Sequence, residues 1–113
     1  MAFKDSELVE CKALIEKYIE SIRPPVEMRG RIDIAYKIEN QSIIIFERHK
    51  SINKGPIEGY IAKTTYLRNW DLWKIYWQRA DMKWHLYEPK KEVKELADFI
   101  KIIKEDKYHC FWG

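Results

Sequence analysis

The chain has 113 residues, of which 46% are hydrophobic and 14% aromatic, and its formal net charge is only +3. This combination excludes an intrinsically disordered chain, which pairs low hydrophobicity with high net charge. It suits one domain with its own core over residues 1–113. No apolar run approaches the ~20 residues of a membrane-spanning helix, and the first residues lack the apolar core of a secretion signal. We therefore expect a single cytoplasmic domain that does not act at a membrane.

The first predicted element is a helix from Ser6 to Ile22. Its apolar residues recur at helical spacing and form one stripe: Leu8, Cys11, Ile15, Tyr18, Ile19 and Ile22. Asp5 or Ser6 is expected to cap the N-terminus of this helix. Pro24 and Pro25 are expected to end it, because proline disfavours helical geometry in the residue before it. The stripe predicts that the helix packs one face on the rest of the domain.

The two cysteines, Cys11 and Cys110, lie near opposite ends of the chain, so a disulfide between them would require those ends to meet. In a cytoplasmic protein we expect both thiols to be reduced and buried. Zinc ligands usually come in close pairs such as Cys-x-x-Cys, and the sequence has none. The sequence therefore points to no metal and no cofactor, and we assign no catalytic residue.

The next two elements are predicted strands, Arg31 to Ile38 and Ile43 to Lys50, which the turn residues 39–42 join into a hairpin. In the first strand isoleucine and tyrosine alternate with charged residues and alanine, which is typical of a half-buried strand. Pairing Ile38 with Ile43 brings apolar side chains together on one face. The same register places Asp33 beside Arg48 on the other face, as an opposite-charge pair.

Three further strands are predicted, beginning with Ile57 to Leu67, where Gly59 indicates a bulge or a bend. The fourth and fifth contain Trp73 to Gln78 and Trp84 to Leu86, with a turn at Ala80-Asp81 between them. The expected pairs are Trp77 with Trp84 and Ile75 with Leu86 on the core face, and Tyr76 with His85 and Lys74 with Tyr87 on the other.

A second helix is predicted to open at Pro89, whose missing N–H costs nothing in the first helical turn. Its apolar stripe consists of Val93, Leu96, Ala97, Ile100 and Ile103. Lys104 and Lys107 suit its C-terminal end, and the aromatic tail, with Phe111 and Trp112, is expected to dock on the domain. The predicted fold is therefore α+β in the order α-β-β-β-β-β-α: a five-stranded antiparallel meander-like sheet with both helices packed on one face.

The face of the sheet opposite the helices is expected to be open to solvent, as in many antiparallel sheets. Its predicted members are Asp33, Lys37, Phe46, Arg48, Lys74, Tyr76, Gln78, Lys83, His85 and Tyr87. Basic residues interleaved with aromatic ones are typical of proteins that bind single-stranded nucleic acid, in which cations contact phosphates and rings stack on bases. Aromatic residues are also common in strands for structural reasons alone, so their presence here does not by itself indicate binding. Residues 23–88 hold twelve Lys and Arg against eight Asp and Glu, which permits a basic patch for nucleic acid or another anionic partner without requiring one.

Two other functions stay open. Exposed aromatic residues also suit a homodimer or a module that binds another protein. A small enzyme would use Tyr76 and His85 as an acid–base pair, although the sequence has neither a nucleophile motif nor a glycine-rich phosphate loop. Asp33, Glu47 and Lys50 are the residue types of a nuclease, but the predicted register places the two carboxylates on opposite faces. We therefore favour a binding module without enzymatic activity.

The segment from Trp73 to Pro89 carries an unusual motif, Trp-x-Ile-Tyr-Trp-x-Arg-Ala-Asp-x-Lys-Trp-His-x-Tyr. Together with Ala62–Arg68 and the ending Asp106–Gly113, it resembles a small bacterial family known only as a domain of unknown function, over essentially the whole chain. The resemblance implies a stand-alone bacterial domain of about this length, and no particular activity or cofactor. From the motif and the open face, the candidate binding residues are Arg48, Lys63, Tyr66, Arg68, Lys74, Tyr76, Arg79, Lys83, His85 and Tyr87.

Overall fold

An antiparallel sheet with two helices forms the domain in the computed structural model, which describes residues 3–50, the backbone of 51, and residues 53 and 55–113. The helices are α1 (Asp5–Ile22) and α2 (Leu96–Glu105), with a short 3-10 helix at Val26–Met28. The strands are β1 (Ile32–Glu39), β2 (Ser42–Ser51), β3 (Gly55–Leu67), β4 (Leu72–Gln78), β5 (Trp84–Leu86) and β6 (Glu92–Val93). The strand order is β1-β2-β3-β4-β5, and β6 pairs with β4. The predicted α+β meander is confirmed, with a sixth strand added.

α1 packs on the sheet through the stripe that its sequence predicts. Four of the six stripe residues are buried and two lie at the margin of the same cluster: Cys11, Ile15, Tyr18 and Ile19, then Leu8 and Ile22. The predicted cap is wrong. The N-cap residue is Lys4 instead of Asp5 or Ser6, because the Glu7 carboxylate reaches back and accepts the Lys4 backbone N–H at 2.8 Å. The helix ends at Ile22, before the two prolines, as predicted.

The main core lies between the two helices and one face of the sheet. Its largest fully buried apolar side chains come from both helices and from β2 and β4: Ile15, Ile43, Ile45, Ile75, Phe99 and Ile103. Cys11 belongs to the same cluster as a free thiol, and burial away from water raises its pKa to about 11. Cys110 is also free but only half-buried, so the prediction that both thiols are buried holds for Cys11 alone.

β1 and β2 pair in the predicted register, with Ile38 opposite Ile43 and Asp33 opposite Arg48. The charge partner of Asp33 is nevertheless a different residue. Arg23, just after α1, donates from Nε and a terminal nitrogen to the two Asp33 carboxylate oxygens at 3.0 and 2.7 Å. This two-point contact ties the end of α1 to the edge strand β1, because a guanidinium and a carboxylate match in geometry as well as in charge.

β3 contains one residue more than β2 can pair with. Ala62 is opposite Ile45 and Tyr60 is opposite Phe46, which leaves Ile61 as the extra residue between them. Gly59, where the sequence predicts the irregularity, pairs regularly with Glu47. Because strand side chains alternate between faces, the extra residue moves Tyr60 to the face opposite that of Ala62.

β4 and β5 pair one residue away from the predicted register. The observed partners are Tyr76 with Leu86, Trp77 with His85, and Gln78 with Trp84. The turn between the strands therefore spans an odd number of residues, 79–83. Met82 takes a left-handed conformation there (φ 64°) and the Asp81 carboxylate accepts the Lys83 N–H at 2.9 Å. The slip exchanges the two faces of β5, so Trp84 and Leu86 point to the open face, and His85 and Tyr87 to the helix side.

The second helix begins at Leu96 and not at Pro89. The intervening residues complete the outer edge of β4: Val93 pairs with Trp73, and the Ile75 N–H donates to the Lys91 carbonyl at 2.9 Å. β5 is too short to cover that edge alone, and unpaired strand edges carry unsatisfied backbone groups. The α2 residues buried in the core are Leu96, Phe99 and Ile103, whereas Ala97, a member of the predicted stripe, is exposed.

The C-terminal tail docks on the domain, as its aromatic content predicts. Phe111 is buried against Tyr87, with ring centroids 4.9 Å apart. Asp106 ends α2 in a left-handed conformation (φ 42°), and its buried carboxylate accepts the backbone N–H groups of Phe111, Trp112 and Gly113 at 3.0, 2.8 and 3.3 Å. The Asp106 carboxylate thus fixes the tail just after the end of α2. The three N–H groups replace hydrogen bonds to water that the carboxylate loses when it is buried.

We expect Asp106→Ala to lower the free energy of unfolding by about 2–3 kcal/mol, since it removes charge-assisted bonds to three backbone donors. Asp106→Asn keeps an acceptor and a side chain that tolerates the left-handed conformation, so it should cost about half as much. Urea denaturation measures both losses. Glu105→Gln, on an exposed neighbour, is the matched control and should stay within about 0.5 kcal/mol of the parent protein. Equal stability of Asp106→Ala and the parent would contradict the assignment.

The Arg23–Asp33 contact predicts a stability loss in acid. The hydrogen bonds from Arg23 lower the pKa of Asp33, so the unfolded state binds a proton more readily than the folded state. The resulting stabilisation is complete above the unfolded pKa of about 3.9 and is lost as the pH falls through the folded pKa. In urea denaturation at pH 7 to 2, the difference in unfolding free energy between the parent and Asp33→Asn should be constant above about pH 5 and shrink below it. A difference that stays constant down to pH 2 would refute this account.

Candidate functional site

The open face is the side of the sheet that faces away from both helices. Three aromatic side chains, from β2, β3 and β5, form a row across it: Phe46, Tyr60 and Trp84, here called the ring row. The Tyr60 and Trp84 rings stack with centroids 5.9 Å apart at an interplanar angle of 20°, and Phe46 meets Tyr60 edge-on at 6.3 Å. Phe46 is buried, but Tyr60 and Trp84 are only half-buried. Part of each of these two side chains therefore stays in contact with solvent.

Cationic side chains lie against the ring row. The Lys63 ammonium lies 5.6 Å from the Trp84 ring centroid and 5.1 Å from that of Tyr76, a second open-face ring on β4. The Lys37 ammonium lies 4.7 Å from the Tyr60 ring centroid, and the Arg48 guanidinium 5.8 Å from that of Phe46. These separations allow cation–π attraction, so aromatic and positive groups alternate on this face.

The positive side chains of the open face differ in whether a carboxylate of the protein already pairs with them. Lys37 donates to Glu58 at 3.2 Å and to the Tyr60 hydroxyl at 2.9 Å, and these contacts, that of Tyr60 foremost, raise the pKa of Lys37. Its charge is therefore balanced within the protein. Lys63, Arg48 and the open-face residue Lys74 form no ion pair with any residue that the structure describes. The uncompensated positive charge is thus concentrated on those three residues.

Four of the ten predicted binding residues lie on the open face, as expected: Arg48, Lys63, Lys74 and Tyr76. Lys63 and Tyr76 are directly opposite each other on β3 and β4. Together with Trp84 they form one contiguous group, in which two rings flank one ammonium. The structure brings these residues together but leaves their binding role as a prediction.

Three of the predicted residues lie on the helix side. Tyr66 packs with its ring centroid 5.0 Å from that of Trp73, and its hydroxyl donates to Asp71 at 2.7 Å. Arg68 donates twice to Glu7 of α1, at 2.7 and 3.0 Å. Tyr87 is buried at 3% exposure in the core against the tail. The expected placement of Tyr87 on the open face is wrong because of the one-residue slip between β4 and β5.

The remaining three predicted residues belong to the β4–β5 hairpin. The Arg79 guanidinium lies 5.6 Å from the Trp77 ring centroid, and the Lys83 side chain is exposed at the end of the turn. His85 is opposite Trp77 on the helix side, and its Nε2 lies 2.8 Å from the Asp81 carboxylate. The bonds from Lys83, first, and from His85 lower the pKa of Asp81. His85 was expected on the open face; the structure gives it a role inside the turn instead.

The groups proposed for an enzyme do not assemble. Tyr76 and His85 point to opposite faces of the hairpin, so the acid–base pair that a small enzyme would use does not form. Asp33 is engaged by Arg23, and Glu47 lies on the other face beside His49 at 2.8 Å, as the predicted register requires. Among the described residues, no three His, Cys, Asp or Glu side chains form a group that could hold a metal ion. In the same part of the chain, every helix is too short or too polar to cross a bilayer.

Sequence reasoning missed the two most prominent members of the ring row. Trp84 was expected in the core because the predicted register between β4 and β5 differs by one residue from the observed register. Tyr60 alternates in sequence with Ala62 and Thr64, both of which are buried on the core side, so simple alternation also assigns it to the core. Only the extra residue at Ile61 reverses that assignment, and Gly59, whose residue type indicates an irregularity in this strand, lies two positions away from it.

The observed register makes a prediction that the expected register does not. A double-mutant cycle of Trp84→Leu and Tyr60→Leu, with unfolding free energies from urea denaturation, should give a coupling of about 1 kcal/mol, because stacked aromatic pairs contribute about 0.5–1.5 kcal/mol beyond their burial. The control cycle of Trp84→Leu and Trp77→Leu should give coupling near zero, since these rings point to opposite faces. The reverse pattern would favour the expected register and contradict the structure.

Comparison with known proteins identifies a family but no characterised relative. Neither the curated proteins nor the solved structures include a match to this chain. The family described as domain of unknown function (DUF3024) matches residues 3–113, nearly the full length. The predicted resemblance to a domain of unknown function is thereby confirmed at the level of the family. The chain belongs to the family of domains of unknown function DUF3024.

Proposed function

We propose that the protein is a binding module without enzymatic activity whose open face binds single-stranded nucleic acid. The observation that carries this proposal is the Lys63 ammonium between the Tyr76 and Trp84 rings, 5.1 and 5.6 Å from their centroids, with no ion pair to a described residue. Binding of single strands needs rings that stack on bases and cations beside them that contact phosphates. This group supplies both in one place.

The direction of the binding path follows from the charges. Lys74 and Tyr76 lie on β4, Lys63 is opposite Tyr76 on β3, and Trp84 and Tyr60 continue the series. Near Tyr60 the Glu58 carboxylate is already bonded to Lys37, so that side of the row has less net positive charge. A strand that follows Lys74, Tyr76, Lys63 and Trp84 therefore meets alternating cations and rings before it reaches Glu58, whose charge Lys37 balances.

Single strands are favoured over duplexes by the same geometry. In a duplex the bases are paired and stacked inside, and only the phosphates are within reach of a flat face. Exposed ring surface contributes nothing to such a contact. A protein that used this face on duplex nucleic acid would depend on its cations alone, and the net charge of +3 is small for that.

We expect labelled single-stranded DNA or RNA to bind in fluorescence anisotropy, more tightly than the duplex of the same sequence and with affinity that falls as salt rises. Trp84→Leu should weaken binding about tenfold, since stacking on one base is worth about 1–3 kcal/mol. Trp84→Phe, which keeps a ring, should recover part of this. Lys63→Gln should lower the slope of log affinity against log salt by about 0.7–1.

Two variants control for the loss of an aromatic ring or a positive charge elsewhere. Trp70→Leu removes a tryptophan that is 75% exposed in the β3–β4 turn, and Lys101→Gln removes an exposed lysine on α2. Both should bind like the parent protein. Absence of binding at low salt, or equal losses in Trp84→Leu and Trp70→Leu, would reject the open face as a nucleic-acid site.

The second candidate function is a homodimer or a protein-interaction module. The observation that favours it is Trp70, since an exposed tryptophan is a frequent anchor at protein interfaces. Light scattering over a range of protein concentrations tests it: a dimer that Trp70→Leu dissociates would favour this function. Bacterial origin and cytoplasmic location, which the resemblance and the composition predict, stay predictions.

A further inference from the structure

A second feature of the surface is a basic pocket of about 270 Å³ where β1 begins and β2 meets β3. Among the described residues that line it, every ionisable side chain is basic: Arg29, Arg31, Arg48, His49 and Lys50. The volume is just below the 300–1,000 Å³ of pockets for drug-sized ligands, which suits a small anionic group. The pocket is separate from the group around Lys63 and Trp84.

The lysine and arginine side chains of this pocket are not paired with carboxylates in the described part of the chain. The two carboxylate residues opposite Arg48 on the neighbouring strands are engaged elsewhere, Asp33 by Arg23 at 2.7 Å and Glu58 by Lys37 at 3.2 Å. Glu47 pairs with the lining residue His49 at 2.8 Å. Arg29, Arg31, Arg48 and Lys50 form no ion pair with any residue in the described part of the chain. Like charges held together in this way repel one another, and a bound anion relieves that repulsion.

The local backbone positions one arginine of the pocket and leaves free space beside two glycines. The turn after the two prolines positions Arg29, whose Nε donates to the Pro24 carbonyl at 2.9 Å. Gly30 and Gly55 line the pocket as well, and a Cβ on either would meet nothing within 4 Å. Guanidinium donors and main chain without side chains therefore surround the same small space, an arrangement that suits the oxygens of a phosphate.

Arg48 connects this pocket to the ring row, because its guanidinium lies 5.8 Å from the Phe46 ring centroid and also lines the pocket. Lys50 is four residues beyond Phe46, a distance of about 13 Å along an extended strand. We infer that the pocket binds a terminal phosphate of the single strand that crosses the ring row, an inference that rests on the proposed function. A terminal phosphate monoester carries nearly two negative charges, which matches several cations better than the single charge of an internal phosphate diester.

Two probes test this inference. The first is inorganic phosphate, titrated into the ¹⁵N-labelled protein with chloride at matched ionic strength as the control. Saturable changes at the amide signals of residues 29–31 and 48–50, absent with chloride and weakened at least tenfold in Arg29→Gln/Arg31→Gln, support it. Shifts no larger than those with chloride overturn it. Lys101→Gln is the matched control for loss of a charge and should titrate like the parent.

The second probe is a pair of single strands of one sequence, with and without a terminal phosphate. The phosphorylated strand should bind about fivefold to tenfold more tightly to the parent, and Arg29→Gln/Arg31→Gln should remove that difference. If both strands bind equally while Trp84→Leu still weakens them, the pocket is overturned and the proposed function stands. If inorganic phosphate occupies the pocket but neither strand binds, the proposed function fails and the terminal-phosphate inference fails with it.

Discussion

The extra residue in β3 is the constraint on which the open face depends. If Ile61 took a regular place in the pairing with β2, the alternation of strand side chains would point Tyr60 toward the helices, where Ala62 and Thr64 already fill the core. Because Ile61 is instead an unpaired extra residue, Tyr60 reaches the open face and stacks on Trp84 of β5, two strands away in the sheet order. A single irregularity in backbone pairing thus creates an aromatic surface, and the stacking in turn stabilises the register that produces it.

The slip between β4 and β5 belongs to the same arrangement. Moving β5 by one residue gives Trp84 its partner on the open face and turns Tyr87 inward, where Phe111 of the tail covers it. The tail is held by the Asp106 carboxylate through three backbone N–H groups. Contacts on both faces of the sheet therefore stabilise the register of β5: Tyr60 stacks on Trp84 on the open face, and Phe111 packs on Tyr87 on the helix side.

The sequence predicts correctly those parts of the fold in which the spacing of apolar residues fits one arrangement only. The α1 stripe and the β1–β2 register follow from unbroken helical or two-residue spacing, and the structure confirms both. Prediction failed where two arrangements satisfy the same pattern. Val93 fits a helical stripe but belongs to β6, because the outer edge of β4 needs backbone partners that a local pattern does not show. In the candidate site, Lys63 and Tyr76 could be predicted from the sequence. The positions of Tyr60 and Trp84 on the open face could not, because they depend on a bulge and on a strand register that tertiary packing sets.

The cations that cover the rings in the free protein bear on whether the open face can bind at all. Lys63 lies over Tyr76 and Trp84, so a base that stacks on either ring has to displace the ammonium. At an exposed site a cation–π contact is worth about 0.5–1 kcal/mol, less than the 1–3 kcal/mol of a base stacked on an aromatic ring. The displaced ammonium is also not lost, because its flexible stem allows it to contact the phosphate beside that base. For the proposed function, the exchange therefore favours binding.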